Sequence, residues 1–240
     1  MIGILYFSST GNSLYISQRI QHKLGGKIVY IPTYQGDGGE FEQIIVVTPI
    51  YSYGMPCHVF DLLPMLNRQA EITIVQNYGG MVGGADYYVY KYALQSGLNI
   101  KGVYTLDFTV PKFYLNSVLR SANKRIDAVI EQIAAGEQSI PCKKRTNEAK
   151  YLKNKGNWHI IGERFSVNDK CTNCGKCIGV CPSNNISMVD GKIEFSNRCV
   201  ACLGCYHRCP NKAIEYRNRK KKDRYINPFV DESLIGKDIE

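Results

Sequence analysis

Eight of the ten cysteines lie between Cys171 and Cys209, in two runs that read CTNCGKCIGVCP from Cys171 and CVACLGCYHRCP from Cys199. A shift of 28 positions carries Cys171, Cys174, Cys177, Cys181 and Pro182 onto Cys199, Cys202, Cys205, Cys209 and Pro210, and Ile186 onto Ile214, so one small binding unit is duplicated. The spacing C-x2-C-x2-C-x3-C-P suits a cubane 4Fe-4S cluster. Three thiolates, with two residues between each and the next, let a tight loop wrap three corners while its backbone N–H groups turn toward the sulfides. Gly175 and Gly204 are expected to ease that wrapping. The fourth cysteine of each run, held beyond the loop by the turn before proline, is expected to reach the other cluster. This assigns Cys171, Cys174, Cys177 and Cys209 to one cluster, and Cys199, Cys202, Cys205 and Cys181 to a second. Structural zinc usually takes its ligands as two separated pairs, and disulfides need an oxidising compartment, so both suit the pattern less well.

With both motifs complete, the segment from about Arg164 to Tyr216 resembles the two-cluster bacterial ferredoxins. The resemblance implies a small α+β domain carrying two 4Fe-4S clusters. Thiolates needed as metal ligands point to the cytoplasm, and Cys57 and Cys142 read as free thiols.

The cysteine segment leaves a chain of 240 residues with well over a hundred to organise into something else. Residues 2–7 (IGILYF) are a continuous apolar run of strand length, followed by SSTGNS and then by Leu14, Ile16, Ile20 and Leu24 at helical spacing. KIVYIP (27–32), QIIVVTPI (43–50), EITIVQN (71–77) and KGVYTLDF (101–108) read as further buried strands, with helices near 58–68, 85–96 and 114–135. Alternation of this kind predicts an open, doubly wound, five-stranded parallel sheet with helices on both faces. Ligands on such sheets bind at the carboxyl ends of the strands, which directs attention to the loops after the first, third and fourth.

The first of these, Ser8-Ser9-Thr10-Gly11-Asn12-Ser13, offers hydroxyls and successive backbone N–H groups at a helix start, an uncharged cradle for a phosphate. No lysine follows the glycine, which separates it from the triphosphate-binding P-loop and argues for a monophosphate held rather than transferred. Such residues also favour an ordinary capped turn. The second loop, from Thr48 and Pro49 through Tyr51, Ser52, Tyr53 and Gly54, and the third, Asn77-Tyr78-Gly79-Gly80, each set tyrosine beside glycine. Aromatic faces stack on flat rings and glycine permits close backbone approach.

On these loops residues 1 to about 140 resemble the flavodoxins, whose first loop of the S/T-x-T-G-N-S/T type binds the phosphate of FMN. The resemblance implies that Ser8, Ser9, Thr10, Gly11, Asn12 and Ser13 take that phosphate. Pro49, Tyr51, Ser52, Tyr53 and Gly54 and Asn77, Tyr78, Gly79 and Gly80 would then flank the isoalloxazine, with either Tyr51 or Tyr53 as the stacking ring. The whole chain is similar to the flavodoxin–ferredoxin fusion proteins of anaerobes, which implies a flavodoxin-like domain over 1–138, a basic linker over 139–163, a ferredoxin domain over 164–217 and a basic tail over 218–240.

The formal charge of +9 counts the cluster cysteines as neutral. Two clusters bring it to about +5 and a flavin phosphate to about +3, so the basic excess is largely counter-charge and argues little for nucleic acid. Lys220, Lys221 and Lys222 form a solvated run or a docking patch for an acidic redox partner, without the interleaved aromatics of a nucleic-acid groove. His22, His58, His159 and His207 share no metal-binding spacing, and no stretch reaches membrane-span length. A soluble, low-potential electron carrier exchanging electrons among FMN, two clusters and redox partner proteins is the leading expectation, working within one chain or across a homodimer. A flavin oxidoreductase acting on a quinone or free flavin, and a redox sensor, are the alternatives. Neither GDGG at Gly36 nor GGMVGG at Gly79 fits a nicotinamide-nucleotide fingerprint, which favours the carrier.

Overall fold

A computed structural model describes residues 1–108, 115–142, 146–216 and 224–239, with backbone alone for 115–120. The five apolar runs form β1 (Ile2–Tyr6), β2 (Lys27–Tyr30), β3 (Gln43–Pro49), β4 (Glu71–Tyr78) and β5 (Asn99–Asp107). All pair in parallel in the order β2-β1-β3-β4-β5, the flavodoxin-like doubly wound order, whose direction reverses between β1 and β3. Runs such as Ile44 to Val47 are wholly buried because helices cover both faces of the sheet.

Right-handed crossovers on either side of that reversal put α1 (Asn12–Leu24) on one face and α2 (Cys57–Leu62) and α3 (Ala85–Gln95) on the other. The fourth helix, α4 (Leu115–Ala134), lies beside α1, where Tyr15 donates to Asn123 Oδ1 at 2.8 Å and Arg19 pairs with Asp127 at 2.5 Å. On the opposite face Phe60 stacks on Tyr92 at 4.2 Å.

Both sheet edges are covered by chain from far downstream. Ile28 of β2 exchanges backbone hydrogen bonds of 3.0 and 2.9 Å with Ile239, and the Val103 N–H of β5 donates to the Ser139 carbonyl at 2.8 Å.

The expected linker forms α5 (Glu148–Gly156) and a 3-10 helix, Trp158–Arg164, that ends one residue beyond it. They are anchored in the first domain's core by Tyr151, wholly buried, whose hydroxyl donates to the Met55 carbonyl at 2.8 Å. The cysteine domain then pairs β6 (Phe165–Val167) with β9 (Ile214–Tyr216), and β7 (Ile186–Val189) with β8 (Lys192–Phe195), all antiparallel. The β7–β8 hairpin turns at Asp190 and Gly191, both at positive φ, the pattern of a tight two-residue turn. Between the sheets lie α6 (Lys176–Gly179) and α7 (Gly204–Arg208), which occupy equivalent places in the two repeats. Lys220, Lys221 and Lys222 lie outside the described residues.

The segment 224–239 returns to the first domain. The Tyr6 hydroxyl, at the end of β1, accepts from the Gly236 and Lys237 N–H groups at 2.9 and 3.1 Å, and Ile226, Val230, Leu234 and Ile239 pack against the main core. Among the described residues no helix is long and apolar enough to cross a membrane.

Candidate functional site

The ends of β1, β3 and β4 open on a cavity of about 360 Å³, a usual size for a small-molecule site. Ser8, Ser9, Thr10, Asn12 and Ser13 line it from the first loop, Pro49, Tyr51 and Ser52 from the second, and Asn77, Tyr78 and Gly79 from the third. Gly11 stands behind the loop at φ 97, where a Cβ would come 2.6 Å from Val230, so both conformation and space require glycine. Its N–H donates to Ser8 Oγ at 2.9 Å, which shapes the turn into α1. The Asn77 amide ties the end of β4 to α1 and β3, donating to Ser13 Oγ at 2.8 Å and to the Thr48 carbonyl at 3.2 Å.

The second loop is a tight turn in which Tyr51 and Gly54 exchange backbone hydrogen bonds of 3.0 Å. Ser52 at φ 50 and Tyr53 at φ 73 occupy its centre, as a primed turn requires. This geometry separates the two tyrosines. Tyr51 faces the cavity with its ring edge-on to Phe7 and Trp158, at 6.2 and 6.4 Å, and its hydroxyl 3.2 Å from Ser9 Oγ. Burial raises its pKa, and the nearby Cys202 thiol adds to the effect, so the phenol stays neutral. Tyr53 lies over Gly83 and under the Lys150 ammonium, 4.7 Å from its ring. Gly54 is packed against the Tyr151 ring, and Gly80 does not line the cavity.

The remaining wall comes from residues that sequence reasoning did not place there: Trp158, and Ala201, Cys202, Leu203 and His207 of the cysteine domain. Trp158 could have been suspected, as the single tryptophan in a polar segment. The cysteine-domain residues carried no such signal. Among the described residues none of the lining side chains is a carboxylate, lysine or arginine.

The cysteines sort in space into the two crossed sets. Cys171, Cys174, Cys177 and Cys209 line one small pocket, closed by apolar neighbours including Val167, Ile193 and Ile214. In the other set burial is the main cause of the raised Cys205 thiol, with the charges of Cys202, Cys181 and Cys199 close enough to contribute. Burial likewise pushes Cys202 up to about 12. These buried thiols are costly to ionise unless a metal centre takes the charge. Among the described residues no three His, Cys, Asp or Glu side chains converge on a single ion. A cubane, by contrast, holds its four thiolates on separate iron corners.

The duplication extends to the backbone. Asn185 N–H donates to Cys181 Sγ at 3.3 Å, and 28 residues on Ala213 N–H donates to Cys209 Sγ at 3.3 Å. Left-handed φ recurs at the same offset, at Asn173 and Ala201, Gly175 and Leu203, Asn184 and Lys212. In the second run this corrects the expectation for Gly204. Leu203 takes the left-handed position at φ 59, while Gly204 begins α7 and faces the domain contact with room for ordinary packing. A Cβ there would sit 3.5 Å from the Ser9 Cβ and 3.7 Å from Cys202 Sγ.

Residues 142–214 match the family described as a 4Fe-4S dicluster domain. No curated protein is similar enough to match the chain. Among solved structures, a flavodoxin from Fusobacterium nucleatum bound to flavin mononucleotide is 19% identical with a TM-score of 0.44, covering 57% of this chain and 98% of its own. The Trp repressor binding protein from Bacillus subtilis is 13% identical with a TM-score of 0.43, covering 55% and 98%. A flavodoxin from the domain Archaea is 15% identical with a TM-score of 0.41, covering 56% and 99%. At such scores the first domain's fold rests on its own strand order.

Proposed function

A flavodoxin-fold domain followed by a 4Fe-4S dicluster domain is an electron-transfer architecture, and on that premise we propose that this chain relays electrons between FMN and two 4Fe-4S clusters, within a single chain, and exchanges them with redox partner proteins. When bound, FMN supplies one- or two-electron chemistry and each cluster one-electron steps. The observation that carries the proposal is the position of Cys202: this cysteine, a cluster ligand on the present reading, is itself part of the strand-end cavity's wall, between Ala201 and Leu203.

The residues give the relay a direction in space. Hydroxyls and N–H groups of the first loop would hold the phosphate, and Tyr51, its hydroxyl beside Ser9 and Trp158 edge-on to its ring, would flank the ring system. The set containing Cys202 and Cys205 packs against the first domain, whereas Cys174 of the other set is exposed. Electrons would therefore enter or leave at the Cys174 side. The reading in which an open isoalloxazine face serves a small acceptor has less support, because Trp158 and the Cys202 loop take up part of the same cavity's wall. Thiolate ligation favours a cytoplasmic setting.

The test is rapid-mixing spectroscopy on the anaerobically assembled protein. A specific donor reduces one centre, and flavin and cluster absorbances are followed separately at several protein concentrations. A relay within the chain equilibrates at a rate independent of concentration. Exchange whose rate rises in proportion to concentration, or no exchange despite compatible potentials, rules the proposal out.

A further inference from the structure

Between residues 224 and 239 the chain passes from the cysteine domain back to the first domain, and on the way it crosses the loop expected to take the flavin phosphate. Its start is fixed to the cysteine domain. The Arg224 guanidinium lies 3.7 Å from the Tyr206 ring centroid and donates to the Ile214 carbonyl at 2.6 Å, and the Tyr225 N–H donates to His207 Nδ1 at 3.1 Å. Two residues later the strap is on the phosphate loop. The Tyr225 hydroxyl donates to Asn12 Oδ1 at 2.7 Å, Asn227 Nδ2 donates to the same oxygen at 3.0 Å, and the Asn227 N–H donates to the Thr10 carbonyl at 2.8 Å. Asn227 is 1% exposed, so these bonds are made away from water.

The direction of each amide follows from one unambiguous donor. A backbone N–H can only donate, so the Asn227 atom 2.9 Å from the Phe229 N–H is its oxygen. The Asn227 nitrogen must then face Asn12, and the Asn12 atom facing it must be oxygen. Asn12 lines the cavity, and with its oxygen committed to the strap its NH2 group is left for the cavity side. An asparagine free to flip would present an acceptor to an anion as readily as a donor. Burial also raises the Tyr225 pKa to about 12, against an opposing hydrogen bond to Asn12, so its hydroxyl keeps its proton.

We propose that Tyr225 and Asn227 are positioning residues of the flavin site: they hold the Asn12 amide with its donor toward the FMN phosphate and pin Thr10 at the start of α1, so that the phosphate meets donors already set in place. This rests on the reading that the first loop binds that phosphate. The strap also links His207 on α7, two residues beyond the ligand Cys205, to Asn12 on α1 through one residue, Tyr225.

The test uses the full chain with its clusters assembled, and measures the dissociation constants of FMN and riboflavin by flavin-fluorescence titration for the unmodified protein, Tyr225→Phe and Asn227→Ala. Each variant is expected to weaken FMN roughly five- to tenfold, the worth of about one hydrogen bond, and to leave riboflavin within about twofold. Equal weakening of both flavins means the strap only stabilises the fold, and overturns the proposal. Undiminished FMN preference in the variants overturns it too, while leaving the phosphate reading intact. An unmodified protein with no preference for FMN removes the phosphate reading and the strap's role with it. Tyr225→Phe keeps the half-buried ring, so it decides the matter if Asn227→Ala fails to hold its clusters.

Discussion

Cys181 sits in the first run of the sequence but in space belongs with Cys199, Cys202 and Cys205. Cys181→Ala should therefore chiefly remove the cluster of the second run, lowering iron from about eight to about four per chain. Electron paramagnetic resonance of the reduced variant distinguishes the survivor, and selective loss of the Cys171 cluster would contradict the pairing. The hydroxyls of the first loop are not equivalent. Ser8 Oγ accepts the Gly11 N–H, so Ser8→Ala disturbs the loop itself, whereas Thr10 lines the cavity. Thr10→Ala should cost FMN roughly 1.5 to 3 kcal/mol of binding, the worth of one hydrogen bond to a charged group, and leave riboflavin unchanged. At this scale the cysteines were legible because a repeat states its own spacing twice. Between Tyr51 and Tyr53 the choice was not legible, because it turns on positive φ at Ser52 and Tyr53, neither of them glycine.

Among the elements, the duplicated loops carry strain that one substitution can report. Lys212 holds φ 53 in the place where the first repeat has Asn184, and asparagine tolerates that region better than lysine does. Lys212→Gly should raise stability by roughly 0.5 to 1 kcal/mol, read as a higher thermal midpoint; a lower one would assign the lysine side chain a contact of its own. Where α2 meets the second domain, His58 stacks on Phe7 at 5.6 Å with its Nε2 3.2 Å from the Pro182 carbonyl. Burial lowers its pKa, outweighing the Pro182 carbonyl and Asp61, so the unfolded chain takes up the proton first as pH falls. The contact is at full strength above the unfolded value of about 6.5 and weakens as pH drops toward the lower folded one. His58→Gln should flatten the fall in thermal midpoint between about pH 7.5 and pH 6; an unchanged fall would place the sensitivity elsewhere. The strands and helices of the first domain were legible because both-face burial writes them as continuous apolar runs. The 3-10 helix at Trp158–Arg164 was not, because its partners lie on other elements.

For the molecule as a whole, the strand-end cavity and Cys202 meet at the contact between the domains, while Cys174 of the other set is exposed. Removing the outer cluster by Cys171→Ala should block reduction by an external protein donor and spare exchange between the flavin and the inner cluster. If the external donor works undiminished, electrons enter elsewhere. Sequence reading supplied the two domains but not their contact. The tail's basic run drew attention, while the signal for docking lay beyond it in Ile226, Val230, Leu234, Ile235 and Ile239, whose near-helical spacing is interrupted by Pro228 and Gly236 and so announces neither a helix nor a strand.

The antiparallel pairing of Ile239 with Ile28 sets an order on synthesis. The sheet can assemble as soon as β5 has left the ribosome, yet the edge presented by β2 stays uncovered until both cysteine runs have also emerged. A nascent chain stalled before residue 224 would carry an unpaired parallel edge, the kind of template on which strands of other chains add. In such chains metal supply and aggregation become coupled: if a cysteine domain without its clusters fails to deliver the strap, iron starvation should show first as insoluble protein and only afterwards as lost redox activity.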